Sequence, residues 1–199
     1  MLMDEQTITT YNELGKEYDE ETKDFWENFP RTVVDAFVTS VRGKVLDIGS
    51  GPGRDGLILK TAGLDVVCLD ASEAMVKISR EKGLESILGD FNDLPFVDNS
   101  FDGVWAYTSL LHVPKARIGR PLREIVRVLK PGGMLGLGLI EGESELYRES
   151  SGVGKPRWFS FYTKDEIEKF LARYNFRVEH FETFTPGTKN YLNFIARLD

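Results

Sequence analysis

One cysteine in 199 residues, Cys68, leaves no partner thiol for an internal disulfide and no cysteine set for a zinc cluster. It sits in the apolar run Asp65-Val66-Val67-Cys68-Leu69-Asp70 and reads as a packed, inert thiol. No apolar stretch approaches the roughly 20 residues a helix needs to cross a bilayer. Residues 1–11 also lack the basic-then-apolar pattern of a signal peptide. The expectation is a cytoplasmic protein with no membrane partner. Positive charge is scarce as well: the net charge is −7, and residues 1–28, with nine acids against two lysines, account for all of it. A balanced body behind an acidic leader has no field to hold phosphate backbones, which disfavours nucleic acid as a partner. Repeats and low-complexity segments are absent too.

What remains is a chain of single-domain size with ordinary globular composition, 41% hydrophobic and 29% charged. Short apolar runs alternate with amphipathic stretches. Strands are expected at 44–48, 66–70, 85–88, 101–107 and 134–140, and helices at 54–62, 73–82 and 115–129. This alternation implies an α/β, doubly wound, mostly parallel sheet with helices on both faces. The end departs from it. Thr163-x-x-Glu166 fits a capping box opening a helix over 163–174, and strands follow at 177–184 and 191–198. The connection 185–190 is too short for a crossover helix, so a seven-stranded sheet should finish in an antiparallel hairpin.

The loop after the first strand carries Gly49, Gly51 and Gly53, which free the backbone to turn sharply and let a ligand approach. Shifted by two, Gly51-Pro52-Gly53-Arg54-Asp55-Gly56 also satisfies a dinucleotide fingerprint, and a merely tight turn is the bland alternative. Asp70 closes the second strand, where an acid can accept from both hydroxyls of a ribose; a helix-capping or surface acid is the alternative. Asp90-Phe91, where the third strand ends, adds a carboxylate and a ring suited to an adenine edge. The dinucleotide fingerprint requires no such pair.

Val45-Leu46-Asp47-Ile48-Gly49-Ser50-Gly51-Pro52-Gly53, Leu69-Asp70-Ala71-Ser72-Glu73-Ala74-Met75, Gly89-Asp90, Phe101-Asp102-Gly103-Val104-Trp105 and Leu129-Lys130-Pro131-Gly132-Gly133 together resemble the successive motifs of class I S-adenosylmethionine (SAM)-dependent methyltransferases. The branch most resembled includes many small-molecule enzymes. The resemblance runs over residues 43–140 and implies a Rossmann-like fold with SAM as cofactor. It places Gly49, Gly51 and Gly53 along the methionine portion and Asp47 near its amino group. Asp70 would hold the ribose, with Ala71 and Met75 on the adenine. Asp90 and Phe91 would meet the adenine edge, and Tyr107 the sulfonium. Arg54 receives no role.

The resemblance also implies that residues 1–42 form a helical lid whose Tyr11 and Tyr18 fold over the cofactor, although these rings could equally anchor a helix. Residues 43–199 form the SAM-binding domain. Within it, the insertion 141–162, long and without clear periodicity, is expected to be a substrate lid or pocket wall. His112, in the loop after the fourth strand, reads as a catalytic base, a pocket contact or a structural histidine. Tyr107-Thr108-Ser109 lacks the acidic cluster of metal-dependent catechol enzymes, so no metal is expected. Arg120, Arg123 and Arg127 share a helix face and read best as solvated, with RNA contact as the weaker reading. The function expected is methyl transfer to a small molecule. Non-catalytic SAM sensing, an RNA or protein methyltransferase and a nicotinamide oxidoreductase are the alternatives. Nothing in the sequence sets the oligomeric state.

Overall fold

The computed structural model describes residues 3–149 and 154–199. In chain order its strands are β1 (Lys44–Ile48), β2 (Asp65–Asp70), β3 (Glu85–Leu88), β4 (Phe101–Tyr107), β5 (Leu129–Ile140), β6 (Glu145–Glu149), β7 (Pro156–Ser160), β8 (Phe176–Phe184) and β9 (Tyr191–Leu198). Its helices are α1 (Glu5–Glu13), α2 (Gly15–Thr22), α3 (Phe25–Asn28), α4 (Thr32–Ser40), α5 (Arg54–Thr61), α6 (Glu73–Glu81), α7 (Gly119–Val128) and α8 (Lys164–Arg173).

Seven strands make one sheet in the order β3-β2-β1-β4-β5-β9-β8. β1 runs parallel to β2 and β4, β2 to β3, and β4 to β5. β9 pairs antiparallel with both β5 and β8, so six strands share one direction and β9 alone opposes them. This is the expected Rossmann-like methyltransferase sheet with its terminal hairpin. Strand order reverses between β1 and β4, and that reversal opens a crevice at their carboxyl ends.

The central strands are continuous apolar runs because both faces are covered. On one face Phe37 of α4 meets Trp105 of β4, ring centroids 5.0 Å apart. Gly136 of β5 lies under that pair, where a Cβ would fall 2.2 Å from the Trp105 ring. The adjacent Leu137, pointing the other way, packs with Leu122 of α7 and Leu171 of α8. The Thr163 capping box at α8 is present, with Thr163 N donating to Glu166 at 2.8 Å.

Two elements differ from the sequence expectation. The helix expected over 115–129 is a short 3-10 turn, Lys115–Arg117, followed by α7. Pro121 supplies no N–H for the carbonyl of residue 117 and its ring clashes there, so an α-helix cannot run through that point. Leu129 already belongs to β5, pairing with Phe101 before a register shift. The insertion 141–162 also holds regular structure, since β6 and β7 form an antiparallel hairpin. Every residue of β6 is exposed, which erased the alternation that announces a strand. Residues 150–153 of the glycine-rich stretch, like residues 1–2 of the N-terminal segment, lie outside the described residues. No helix among the described residues is long and apolar enough to cross a membrane.

Candidate functional site

A cavity opens at the carboxyl ends of β1, β2 and β4. The glycine loop forms its floor, and its three glycines do different work. Gly49 has φ +63°, and a Cβ there would lie 2.4 Å from Ser109 Cβ, so the loop can approach the turn after β4 only as glycine. Gly51, at φ +55°, faces open space; the nearest atom to a Cβ is a Tyr18 ring carbon 3.8 Å away. Gly53 does not line the cavity. At φ +83° it sits before α5, where a Cβ would press on Leu84 and Ser79, so packing requires glycine there.

Asp70 braces this loop. Its Oδ2 accepts from Gly51 N at 2.8 Å and its Oδ1 from Ser72 N at 2.8 Å. Burial raises its pKa, while N–H groups of Ser72, Gly51 and Ala71 pull it back. A carboxylate offers about four lone-pair sites, so two hydroxyls can still be accepted. Asp47 lies deeper. Burial, then the negative charge of Asp55, holds its pKa well above the usual carboxylate range, against Arg54 and a weak contact from Gly56 N–H. Its Oδ2 is buried without a hydrogen-bond partner, as is Ser109 Oγ on the same wall. Unmet acceptors are rare in a folded interior and mark a place for a donor. An orphaned carboxylate oxygen, hydroxyl acceptors at Asp70 and an apolar wall of Ala71, Met75 and Phe91 match the ammonium, ribose and adenine of SAM. The residues fit that cofactor. Tyr107 also lines the cavity, stacked on Trp105 at 5.5 Å with burial raising its pKa.

Asp90 falls elsewhere. It is not part of the cavity wall, and its Oδ1 is engaged by Asn92 N at 2.8 Å and Asn92 Nδ2 at 2.7 Å, a local turn. Only its neighbour Phe91 reaches the cavity.

Two groups unassigned in the sequence complete the floor. Buried Asp55 accepts from Trp26 Nε1 (2.7 Å), Trp105 Nε1 (2.9 Å) and Arg54 Nε (2.7 Å), tying α3 and β4 to the start of α5. Arg54 lies over the Phe25 ring at 4.7 Å. The sequence signal was the Arg54-Asp55 pair following the glycines; the two tryptophans lie 29 and 50 residues from Asp55.

The remaining wall comes from α1 and α2. Asn12 Oδ1 accepts from Ser72 Oγ at 2.7 Å, and Thr7 Oγ1 accepts from Trp158 N at 2.9 Å, so α1 bridges α6 and β7. Tyr11 and Tyr18 meet edge-on at 5.2 Å and both line the cavity. His112 closes a chain across this seam. The Trp158 carbonyl can only accept, so His112 Nδ1 donates to it at 2.6 Å. Nε2 is therefore the unprotonated nitrogen and accepts from Tyr11 OH at 2.9 Å. Tyr11 OH in turn accepts from Arg157 Nη1 at 2.6 Å. Burial, reinforced by the Arg157 charge, pushes the His112 pKa down to about 3, with the Trp158 carbonyl and Asp4 opposing. His112 is thus neutral and its one lone pair is spoken for. This geometry joins the loop after β4, α1 and the β6–β7 hairpin through His112, and it favours the pocket-contact and structural readings over the catalytic base.

A second cavity shares Tyr11, Tyr18, Arg54, Thr108 and His112 with the first. Phe25, Phe159, Tyr191 and Lys189 form its far side. Among the described residues no group of three or more His, Cys, Asp or Glu is placed to hold a metal ion.

Residues 46–137 match the methyltransferase domain family. The chain is 37% identical over 136 residues to a demethylmenaquinone methyltransferase of Paenarthrobacter aurescens, covering 67% of this chain and 49% of that protein. The chain spans about half the length of the curated relatives it matches. Among solved structures, a DhpI complex with S-adenosylhomocysteine (SAH) superposes with TM-score 0.80 at 22% identity, covering 98% and 96% of the two chains. The 1,6-didemethyltoxoflavin-N1-methyltransferase of Burkholderia thailandensis, solved with its substrate and SAH, gives 0.73 at 19% identity, covering 96% and 87%.

Proposed function

We propose that this chain, which carries a class I SAM-dependent methyltransferase domain, transfers the methyl group of SAM to a small-molecule acceptor held in the second cavity. The observation that carries the reading is the pair of adjoining cavities with a common wall. One offers acceptors matched to SAM; the other leaves room for a second molecule, where a sensor needs none. The relatives' names, a demethylmenaquinone and a didemethyltoxoflavin enzyme, support a small acceptor.

Bound SAM supplies a methyl group already activated by its sulfonium. The residues of this chain have to align and enclose. Asp70 would hold the ribose and keep Gly51 in place beneath the methionine portion, while Asp47 would receive the ammonium. Tyr11 and Tyr18, on the shared wall, would separate the reacting centre from water as parts of a lid formed by residues 1–42. β7 would brace that lid from the insertion. Alignment of two reactants alone contributes roughly 7–11 kcal/mol to such a reaction. His112 takes no proton in this scheme, because Tyr11 occupies its Nε2.

The test is turnover with methyl-labelled SAM against three fractions of a cell extract: low-molecular-weight compounds, RNA and protein. Label transferred with SAH release in the small-molecule fraction is the expected result. Label entering RNA or protein instead, or SAH binding without any transfer, counts against the proposal.

A further inference from the structure

The acceptor cavity is cationic as well as aromatic. Lys189, in the turn between β8 and β9, lines it half-buried, and among the described residues its Nζ has no hydrogen-bond or ion-pair partner. Arg157 of β7 lines the same space, 4% exposed, with its guanidinium over the rings of Tyr11, Phe159 and Tyr18 at 5.0, 5.3 and 5.7 Å. Arg157 already donates to Tyr11 OH, and Arg54, the third cation, pairs with Asp55. Among the described residues, the one acid on this wall is Glu21 of α2, which is exposed.

A half-buried lysine held beside other cations is costly unless an anion joins it. Burial depresses its pKa, Arg148 and Arg157 add to that, and Glu21 offsets only part. The Lys189 charge on the cavity lining suits an oxyanion, to which charge-assisted hydrogen bonds are the strong kind. The walls, Phe25, Phe159 and Tyr191, suit a flat ring.

We infer that the acceptor is a small planar molecule bearing an anionic oxygen group, and that Lys189 is the residue that selects it. This rests on the function proposed above. A neutral acceptor would leave the Lys189 charge unanswered in the loaded site, and a cationic one would be repelled.

Benzoate, benzamide and benzamidine share one ring and carry three different charges, so they isolate the charge term. Their binding to the SAH-loaded protein is read by saturation-transfer NMR, after calorimetric titration of SAH itself. Benzoate should bind at least about tenfold more tightly than benzamide, with benzamidine weakest. Lys189→Met should erase the benzoate advantage while SAH affinity stays as in the wild type. Equal binding of the three, a preference for benzamidine, no binding of benzoate, or a benzoate preference that survives Lys189→Met overturns the inference. If SAH itself does not bind, the failure lies with the proposed function, and the two are thereby told apart.

Discussion

The two cavities are built in opposite ways. The floor of the first cavity is made by turns at the ends of neighbouring strands, the loop after β1, Asp70 at the end of β2 and the turn after β4, and α1 and α2 supply the rest of its wall. The second cavity, the proposed acceptor site, is made by side chains from segments far apart in the chain: α1 and α2, the loop after β4, β7 and the turn before β9. Tyr11 lies 101 residues from His112 and 146 from Arg157, yet the three share hydrogen bonds. Backbone turns specify the floor of the first cavity locally. Side-chain chemistry brought together by folding specifies the second.

That contrast is broken or sharpened by variants on each side. The largest effect is expected on the cofactor side. Asp70→Ala strips Gly51 and Ser72 of their charged acceptor and removes the proposed ribose contact. SAH affinity should fall by roughly 30- to 100-fold, about 2–3 kcal/mol, by calorimetry. A loss below threefold would falsify the assignment of Asp70.

Next is the pH dependence of His112. Its folded pKa, about 3, lies below the unfolded value of 6.5. The unfolded chain therefore takes up the proton first, and stability present above pH 6.5 is lost as pH falls toward 3. Between pH 6.5 and 5 the loss from this group should be about 2 kcal/mol. Denaturant unfolding of wild type and His112→Gln at both pH values reads the difference; parallel losses in the two proteins would contradict the buried, neutral histidine.

Tyr11→Phe should cost a little less, about 1–2 kcal/mol in unfolding free energy, because it deletes the hydroxyl that links Arg157 to His112. Cleavage within α1 by a protease should become faster, since α1 depends on its contacts to β7. An unchanged digestion rate would mean that Thr7, Thr10 and Asn12 hold the helix without it. The smallest effect belongs to Asp90→Ala. Its carboxylate serves Asn92 outside the cavity, so SAH affinity should change by no more than about twofold. A loss matching that of Asp70→Ala would restore Asp90 to the adenine edge.

The same contrast explains what was legible in the sequence. Glycines before a helix and an acid closing the next strand are a local pattern, so Gly49, Gly51 and Asp70 could be proposed from sequence, and the structure places all three on the first cavity. Gly53 and Asp90 satisfied the pattern but face Leu84 and Asn92 instead. The sheet was legible from its apolar runs and one short connection. β6 was not, having no buried face to pattern. Asp55 was missed because its meaning lies in two tryptophans that only the fold brings to it. His112 was found, but its role depends on Tyr11, Arg157 and the Trp158 carbonyl, none of them near it in sequence.

The account stands most directly on where SAH sits. A crystal structure of the SAH complex should show the adenosine between Asp70 and Met75 and the homocysteine over Gly49 and Gly51. The ammonium should lie within hydrogen-bond distance of Asp47, and the sulfur should face the cavity that holds Lys189. SAH bound elsewhere, or its sulfur turned away from that cavity, would contradict it.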